Sequence, residues 1–186
     1  GVALDELIEA ILADHGISGV DTSGVDGFAG GYVIDEPASA RSAIEPLLAA
    51  YGIDAFESGR TLVFRSSART DAHVPLIGEF AEPADAGALT WRVAEIMEQP
   101  QRMELAYRDP MLDYQAAMAF AEREDGRGTE SMAVAAMLDG SQAKSLAEQW
   151  MQSRRASRRS VTFELPWKEA GLRVGDRIRI ADPGGA

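Results

Sequence analysis

Glu122 and Glu124 are the first pair of side chains whose spacing could serve acid–base chemistry. Glycoside hydrolysis uses two carboxylates about 5–9.5 Å apart, one to donate a proton and one to attack or to activate water. These two lie in a run with Asp125, between Arg123 and Arg127, which is the pattern of a solvated loop. His15 and His73 are the two histidines, and neither stands in a G-x-S-x-G elbow or beside a serine placed for activation. His15 falls at the last turn of a helix, where a cation meets the negative end of the dipole. His73 falls in a linker and reads as solvated. H-x-x-x-H and H-E-x-x-H are absent, so two separated histidines make a poor metal site. Asp21-Thr22-Ser23-Gly24-Val25-Asp26-Gly27 has a faint likeness to a calcium loop, but it breaks the pattern at the fifth position and has no bidentate Glu in place. Gly27-Phe28-Ala29-Gly30-Gly31 lacks both the dinucleotide-binding spacing and the lysine of a phosphate loop. With no cysteine there is no thiolate nucleophile, disulfide, iron–sulfur cluster or cysteine zinc site. The expectation is a protein with no catalytic residue, no metal and no cofactor.

Arg154, Arg155, Arg158 and Arg159 form the one basic cluster. At the C-terminal end of a helix, arginines cap free carbonyls and meet the dipole, which is the plainer reading. The functional reading is a candidate subunit contact with an acidic neighbour. Nucleic acid comes third, because no interleaved aromatic platform accompanies the cluster. Trp91, Trp150 and Trp167 are scattered, with Trp150 on an apolar helical face. Burial is the commoner fate of such rings.

The elements that would position these groups fall into two units. Leu4, Leu7, Ile8, Ile11 and Leu12 keep the helical i, i+3, i+4, i+7, i+8 spacing, with Asp5 and Glu6 near the positive end of the dipole and Gly16 as a stop. Residues 17–31 read as a loop and Tyr32–Ile34 as a short strand. Pro37 fits a helix start, and Ala40, Ala43, Ile44, Leu47, Leu48 and Tyr51 form a stripe ending at Gly52. Pro46 within it predicts a kink or an irregular first turn. Ile53–Phe56, the turn Glu57–Arg60 and Thr61–Phe64 read as a hairpin.

Residues 66–87 read as a connection with one short strand near Val74–Ile77. Ala88–Met97 allows alternating strands around a break, and Arg102–Tyr107 alternates as a half-buried strand that Asp109-Pro110 ends. Tyr114–Ala121 is Ala- and Met-rich and of open type. Gly126-Arg127-Gly128 reads as a turn, Ser131–Leu138 as a strand, and Asp139 as the cap of a strong helix with Ala143, Leu146, Ala147, Trp150 and Met151 on one face. Val161, Phe163 and Leu165 alternate before Pro166, and Arg177–Ile180 reads as the last strand. No repeat of solenoid period is present.

Charge divides the same way. The 186 residues carry a net charge of −12; residues 1–93 hold −10 of it, and residues 94–186 hold −2. Such a balance argues against general binding to DNA or anionic membranes. No apolar run approaches the roughly 20 residues of a spanning helix, and no basic segment followed by an apolar stretch opens the chain. The start at Gly1, without Met, and the end soon after the last strand read as cuts, so the expectation is a piece of a longer polypeptide.

The stretch Gly31-Tyr32-Val33-Ile34-Asp35-Glu36-Pro37-Ala38-Ser39-Ala40-Arg41-Ser42-Ala43-Ile44-Glu45-Pro46-Leu47-Leu48-Ala49-Ala50-Tyr51-Gly52, followed by Ile53–Gly59, resembles a known family. Glu104-Leu105-Ala106-Tyr107-Arg108-Asp109-Pro110-Met111-Leu112-Asp113-Tyr114-Gln115, the helix Ala143–Trp150, and Phe163-Glu164-Leu165-Pro166 leading to Leu172–Asp176 continue the likeness in order. The family is the phage-tail domain of the large tail-tip protein of alphaproteobacterial gene transfer agents, also called host specificity or baseplate hub protein.

This resemblance implies an α+β fold. Residues 1–75 would be a small inserted α/β domain of helix–strand–helix–hairpin form. Residues 76–186 would be an antiparallel β-barrel-like tail-hub domain with one packed helix. It implies a structural virion component that is made in the bacterial cytoplasm and built into a phage-like or prophage tail tip, where it acts in tail assembly, host attachment and DNA delivery. The partners implied are other tail and baseplate proteins, with the chain a trimer in the particle, the host surface met indirectly, and DNA passing without specific binding. The family brings no catalytic residue in this region. A cell-wall (peptidoglycan or glycan) hydrolase module is the runner-up, and a carbohydrate- or receptor-binding module the third reading.

Overall fold

A computed structural model describes residues 1–67, 74–81, 89–169 and 171–181. The chain opens with a short strand, β1 (Val2–Ala3), and helix α1 (Leu4–Asp14). Leu4, Ile8, Ile11 and Leu12 form its buried face, as the spacing requires. The stretch expected to be loop instead supplies β2 (Val20–Gly24) and β3 (Phe28–Ala29). Its Gly- and Asp-rich composition hid them, because what makes β2 a strand is its parallel partner, which lies some 40 residues on.

Helix α2 (Ala40–Tyr51) is capped by Ser39, whose hydroxyl accepts from the Ser42 N–H, and stopped by Gly52 at φ +61°. It continues without a break through Pro46. Strands β4 (Ile53–Ser58) and β5 (Thr61–Ser66) form the expected hairpin, with the turn narrowed to Gly59-Arg60. The sheet order β2-β5-β4 places β5 at its centre. Phe64 of β5 is fully buried against α1 and α2 together with Leu4, Ile8, Leu47 and Ile53.

The later strands are β6 (Leu76–Ile77), β7 (Leu89–Val93), β8 (Arg102–Asp109), β9 (Gln115–Glu122) and β10 (Thr129–Met137). Helix α3 (Gly140–Ala156), β11 (Arg159–Phe163) and β12 (Arg179–Ile180) complete the chain. Asp139 caps α3 in a full capping box, accepting from the Ser141 and Gln142 N–H groups while the Gln142 side chain accepts from the Asp139 N–H. One sheet has the order β10-β8-β9, with β8 and β9 antiparallel over eight consecutive pairs and β8 and β10 parallel. Its inner face (Met103, Leu105, Tyr107, Ala119, Ala121, Val134, Ala136) packs on Ala143, Leu146, Ala147 and Met151 of α3. Alanines on both sides let helix and sheet approach closely.

The α+β class stands, but the finer picture of an antiparallel barrel does not. Among the described residues the sheets do not close: β7 pairs only β11, β6 only β12, and β10 runs parallel to β8. Alternation in β8 showed one buried face, which a sheet backed by a helix satisfies as well as a barrel does. The chain reaches the far side of β8 by crossing its end. There the Arg123 N–H donates to the Gln101 carbonyl, and the Gln101 and Arg102 N–H groups donate to the Gly128 carbonyl.

The two buried clusters meet at α2. Ala43, Ile44 and Leu47 belong to the first and Ala50 to the second, while Tyr32 and Tyr51 pack against both. The Tyr32 hydroxyl donates to the Ala43 carbonyl at 2.7 Å and the Tyr51 hydroxyl to the Phe28 carbonyl at 3.1 Å. Burial pushes the Tyr51 hydroxyl up to about 12.

Candidate assembly surface

On the side of the sheet β10-β8-β9 that faces away from α3 lie Arg102, Glu104, Met118 and Phe120. Arg102 donates from Nε to Glu104 at 2.8 Å and from Nη1 to Glu122, and its guanidinium carbon lies 4.3 Å from the Phe120 ring centroid. Next to this network are Phe120 and Met118, 48% and 58% exposed, opposite Glu104 and Ala106 of β8.

β9 is also an edge strand: among the described residues only β8 pairs with it. Natural edges are usually blunted by lysine, proline, bulges or a covering element. β9 has no lysine, proline or bulge, and no strand covers it among the described residues; it is eight residues long, regular, and reads Gln-Ala-Ala-Met-Ala-Phe-Ala-Glu. β10, the opposite edge, is partly covered by Gly30–Val33, through the bridge Tyr32–Ala136 and the bonds between Gly30 or Gly31 and Met137.

The β8–β9 hairpin ends in a 3-10 turn, Pro110–Leu112, capped by the Asp109 carboxylate, which accepts from the Met111 N–H at 2.8 Å. Asp113 and Tyr114 follow at φ +54° and +59°, two consecutive side-chain-bearing residues in the left-handed region. Such strain gathers where a conformation is imposed for use. Met111 is 86% exposed at this tip, beside exposed Leu112 and Tyr114. Sequence reasoning left this stretch open. The signal was there in the alternation of Ala117, Ala119 and Ala121 with Met118, Phe120 and Glu122, where Ala119 and Ala121 are buried and Ala117 partly so.

Glu122 is held by Arg102, and Glu124 is exposed at the following turn; the structure does not join them into a site. The Asp125 carboxyl is held below its ordinary range, first by the hydrogen bond from Arg123. The Asp21 carboxylate accepts from the Ser23 hydroxyl and N–H, a local turn at the place of the weak calcium likeness. No group of three or more metal-ligating side chains occurs among the described residues.

The arginine cluster is divided. Arg154 pairs with Glu130 at 2.9 Å and the Arg158 Nε donates to the Ala94 carbonyl at 2.7 Å, both within the chain; Arg154, Arg155 and Arg159 are exposed, and the Arg155 charge also acts on Asp125. Trp150 packs against the second cluster, but Trp91 is half exposed and Trp167 is 91% exposed. His73 lies outside the described residues. No described helix is long and apolar enough to cross a membrane.

Residues 39–186 match the family model described as "Putative phage tail protein". The chain belongs to this phage tail protein family. Among solved structures it is similar to a chain of the virion of the native gene transfer agent particle, with a TM-score of 0.87 and 26% identity over 98% of this chain and 42% of that one. The tail protein thus spans less than half the length of that relative. Two more distant structures share the fold. The tail protein from Neisseria meningitidis MC58 gives a TM-score of 0.53 at 11% identity, covering 87% of this chain and 49% of that one. The 43 kDa tail protein of prophage MuSo2 from Shewanella oneidensis gives 0.56 at 12%, covering 97% and 56%. No protein of curated function matches the chain.

Proposed function

We propose that this phage tail protein is a structural segment of a tail-tip or baseplate hub protein in a gene-transfer-agent-like particle, working in tail assembly, host attachment and DNA delivery rather than in catalysis. The family and the gene transfer agent relative support the setting. The observation that carries an assembly role is the edge strand β9, paired among the described residues by β8 alone, with exposed Met118 and Phe120 on its outer face and an exposed hairpin tip. In an isolated soluble chain such an edge invites uncontrolled pairing; in an assembly it is a joint.

In this reading residues 1–75 and 76–186 are two structural units, the chain is a trimer in the particle, and neighbouring tail proteins cover β9. Arg155 and Arg159 meet an acidic neighbouring surface. The net charge of −12 keeps passing DNA from sticking.

The test is Phe120→Glu combined with Met118→Glu in a particle-producing strain. The expected result is a chain that folds, with a Tm lowered by no more than about 4 °C because both side chains are about half exposed and only the Arg102 contact of Phe120 is lost, and particles that lose tail tips and DNA transfer. Normal transfer by the folded variant would overturn the role given to β9.

The exposed Trp167 and Trp91 favour a carbohydrate- or receptor-binding module as the second reading. Quenching of tryptophan fluorescence by host surface glycans, lost in Trp167→Ala, would move the assignment there.

A further inference from the structure

His15 stands just past the end of α1 with each ring nitrogen against a backbone carbonyl. Nδ1 is 2.7 Å from the Ile11 oxygen, one turn back in the helix, and Nε2 is 3.0 Å from the Ala38 oxygen, 23 residues away. A carbonyl oxygen only accepts, so each contact requires an N–H on the ring. Neutral imidazole carries one N–H; the imidazolium carries two. The geometry is therefore that of the cation.

We propose that His15 is a protonation-dependent latch, tying the segment before α2 to the end of α1 as the imidazolium and releasing it when the ring becomes neutral. The Ala38 contact is placed to matter. Backbone hydrogen bonds hold Gly30–Val33 along the edge of β10, and they resume at Ser39, whose carbonyl accepts from the Ala43 N–H. Between them, Ile34–Ala38 is exposed and carries no regular structure. Asp35, Glu36 and Ala38 of the segment line an open groove of about 400 Å³ together with Ser42, Pro46, Arg108 and Ala116. Release of the latch would loosen that lining and the end of the cover on β10.

On losing a proton the ring keeps the shorter bond within its own helix, through Nδ1–H. Nε2 then turns a lone pair toward the Ala38 oxygen, and attraction becomes repulsion. The surroundings favour the cation. The Ile11 carbonyl raises the ring's affinity for the second proton most, followed by the Ala38 carbonyl; partial desolvation opposes them, and the Asp14 charge comes last in their support. Asp35 and Glu36 of the segment are further carboxylates. Arg41, in the first turn of α2, is the opposing cation and is tied to Glu45 at 3.3 Å. The folded pKa stands above the unfolded value of about 6.5. The latch is therefore fully closed below about pH 6.5 and opens as pH rises through the folded value.

The experiment is a proton NMR titration of His15 in the whole chain, with His73→Gln to assign the two rings. It is paired with hydrogen exchange of residues 34–38 from pH 5.5 to 8.5, corrected for intrinsic rates. The expected result is a His15 midpoint above 6.5 and a severalfold loss of protection at 34–38 in step with it. His73→Gln keeps that step and His15→Gln abolishes it. A midpoint at or below 6.5, or the same pH-dependent loss of protection in His15→Gln, would overturn the proposal. His15 is exposed, so the substitution leaves the core intact.

Discussion

The Arg102 guanidinium covers the Phe120 ring at 4.3 Å while it holds Glu104 and Glu122, so one side chain serves a cation–π contact and two ion pairs on the outer face of the sheet. Such contacts on a partly exposed face are worth about 0.5–1 kcal/mol each at most, and they are not additive. Arg102→Ala is expected to lower stability by about 1 kcal/mol in urea unfolding and to increase dye binding to the uncovered ring. No change in either measurement would mean that the network contributes nothing in solution.

Phe64 is fully buried between the first sheet and helices α1 and α2. Phe64→Ala removes a large ring from a packed site and is expected to cost about 3–5 kcal/mol. Equilibrium unfolding measures it; a loss under about 1 kcal/mol would show that the site collapses around the deletion.

Gly126 has φ +105°, and a Cβ there would lie 2.6 Å from the Gln99 carbonyl oxygen and 3.1 Å from that of Pro100. Backbone atoms cannot swing aside, and the position is one that L side chains rarely adopt. Gly126→Ala is expected to destabilise by about 1–3 kcal/mol. Hydrogen exchange should show the loosening concentrated at the crossing that joins β9 to β10. A neutral outcome by calorimetry would contradict the tight crossing.

The capping box of α3 gives a prediction with a pH dependence. Asp139 has its carboxyl held below the ordinary range, first by the Ser141 hydroxyl and then by the Gln142 N–H. A depressed folded pKa means that the contribution is present above the unfolded value of about 3.9 and is lost as pH falls through the folded value. Asp139→Ala should lower Tm by about 2–4 °C at pH 7. Asp139→Asn, which still caps, should lower it less. The gap between parent and alanine variant should close toward pH 2; an equal gap at both pH values would remove the carboxylate from the explanation.

Local chemistry made much of the first half legible. Leu4 to Leu12 and Ala40 to Tyr51 carry helical stripes, and Ile53 to Phe64 carries hairpin alternation, so each signals its own structure within a dozen residues. Asp139 announced α3, and the coarse family was readable from the ordered motifs between Gly31 and Asp176. β2 was not legible, because its strand character comes from β5. The barrel expectation failed for a similar reason: periodicity reports which face of a strand is buried, never which strand lies beside it.

The amino-acid order by itself determined the three helices, the hairpin, the absence of thiol chemistry and the acidic balance, because these rest on residue type and near-neighbour spacing. Only the tertiary structure decided that Glu122 is held by Arg102, that β9 is an edge strand among the described residues, and that the Ala38 carbonyl reaches His15. The two contacts join residues 20 and 23 positions apart, through strand pairing in one case and the return of the chain past α1 in the other. No local pattern encodes them.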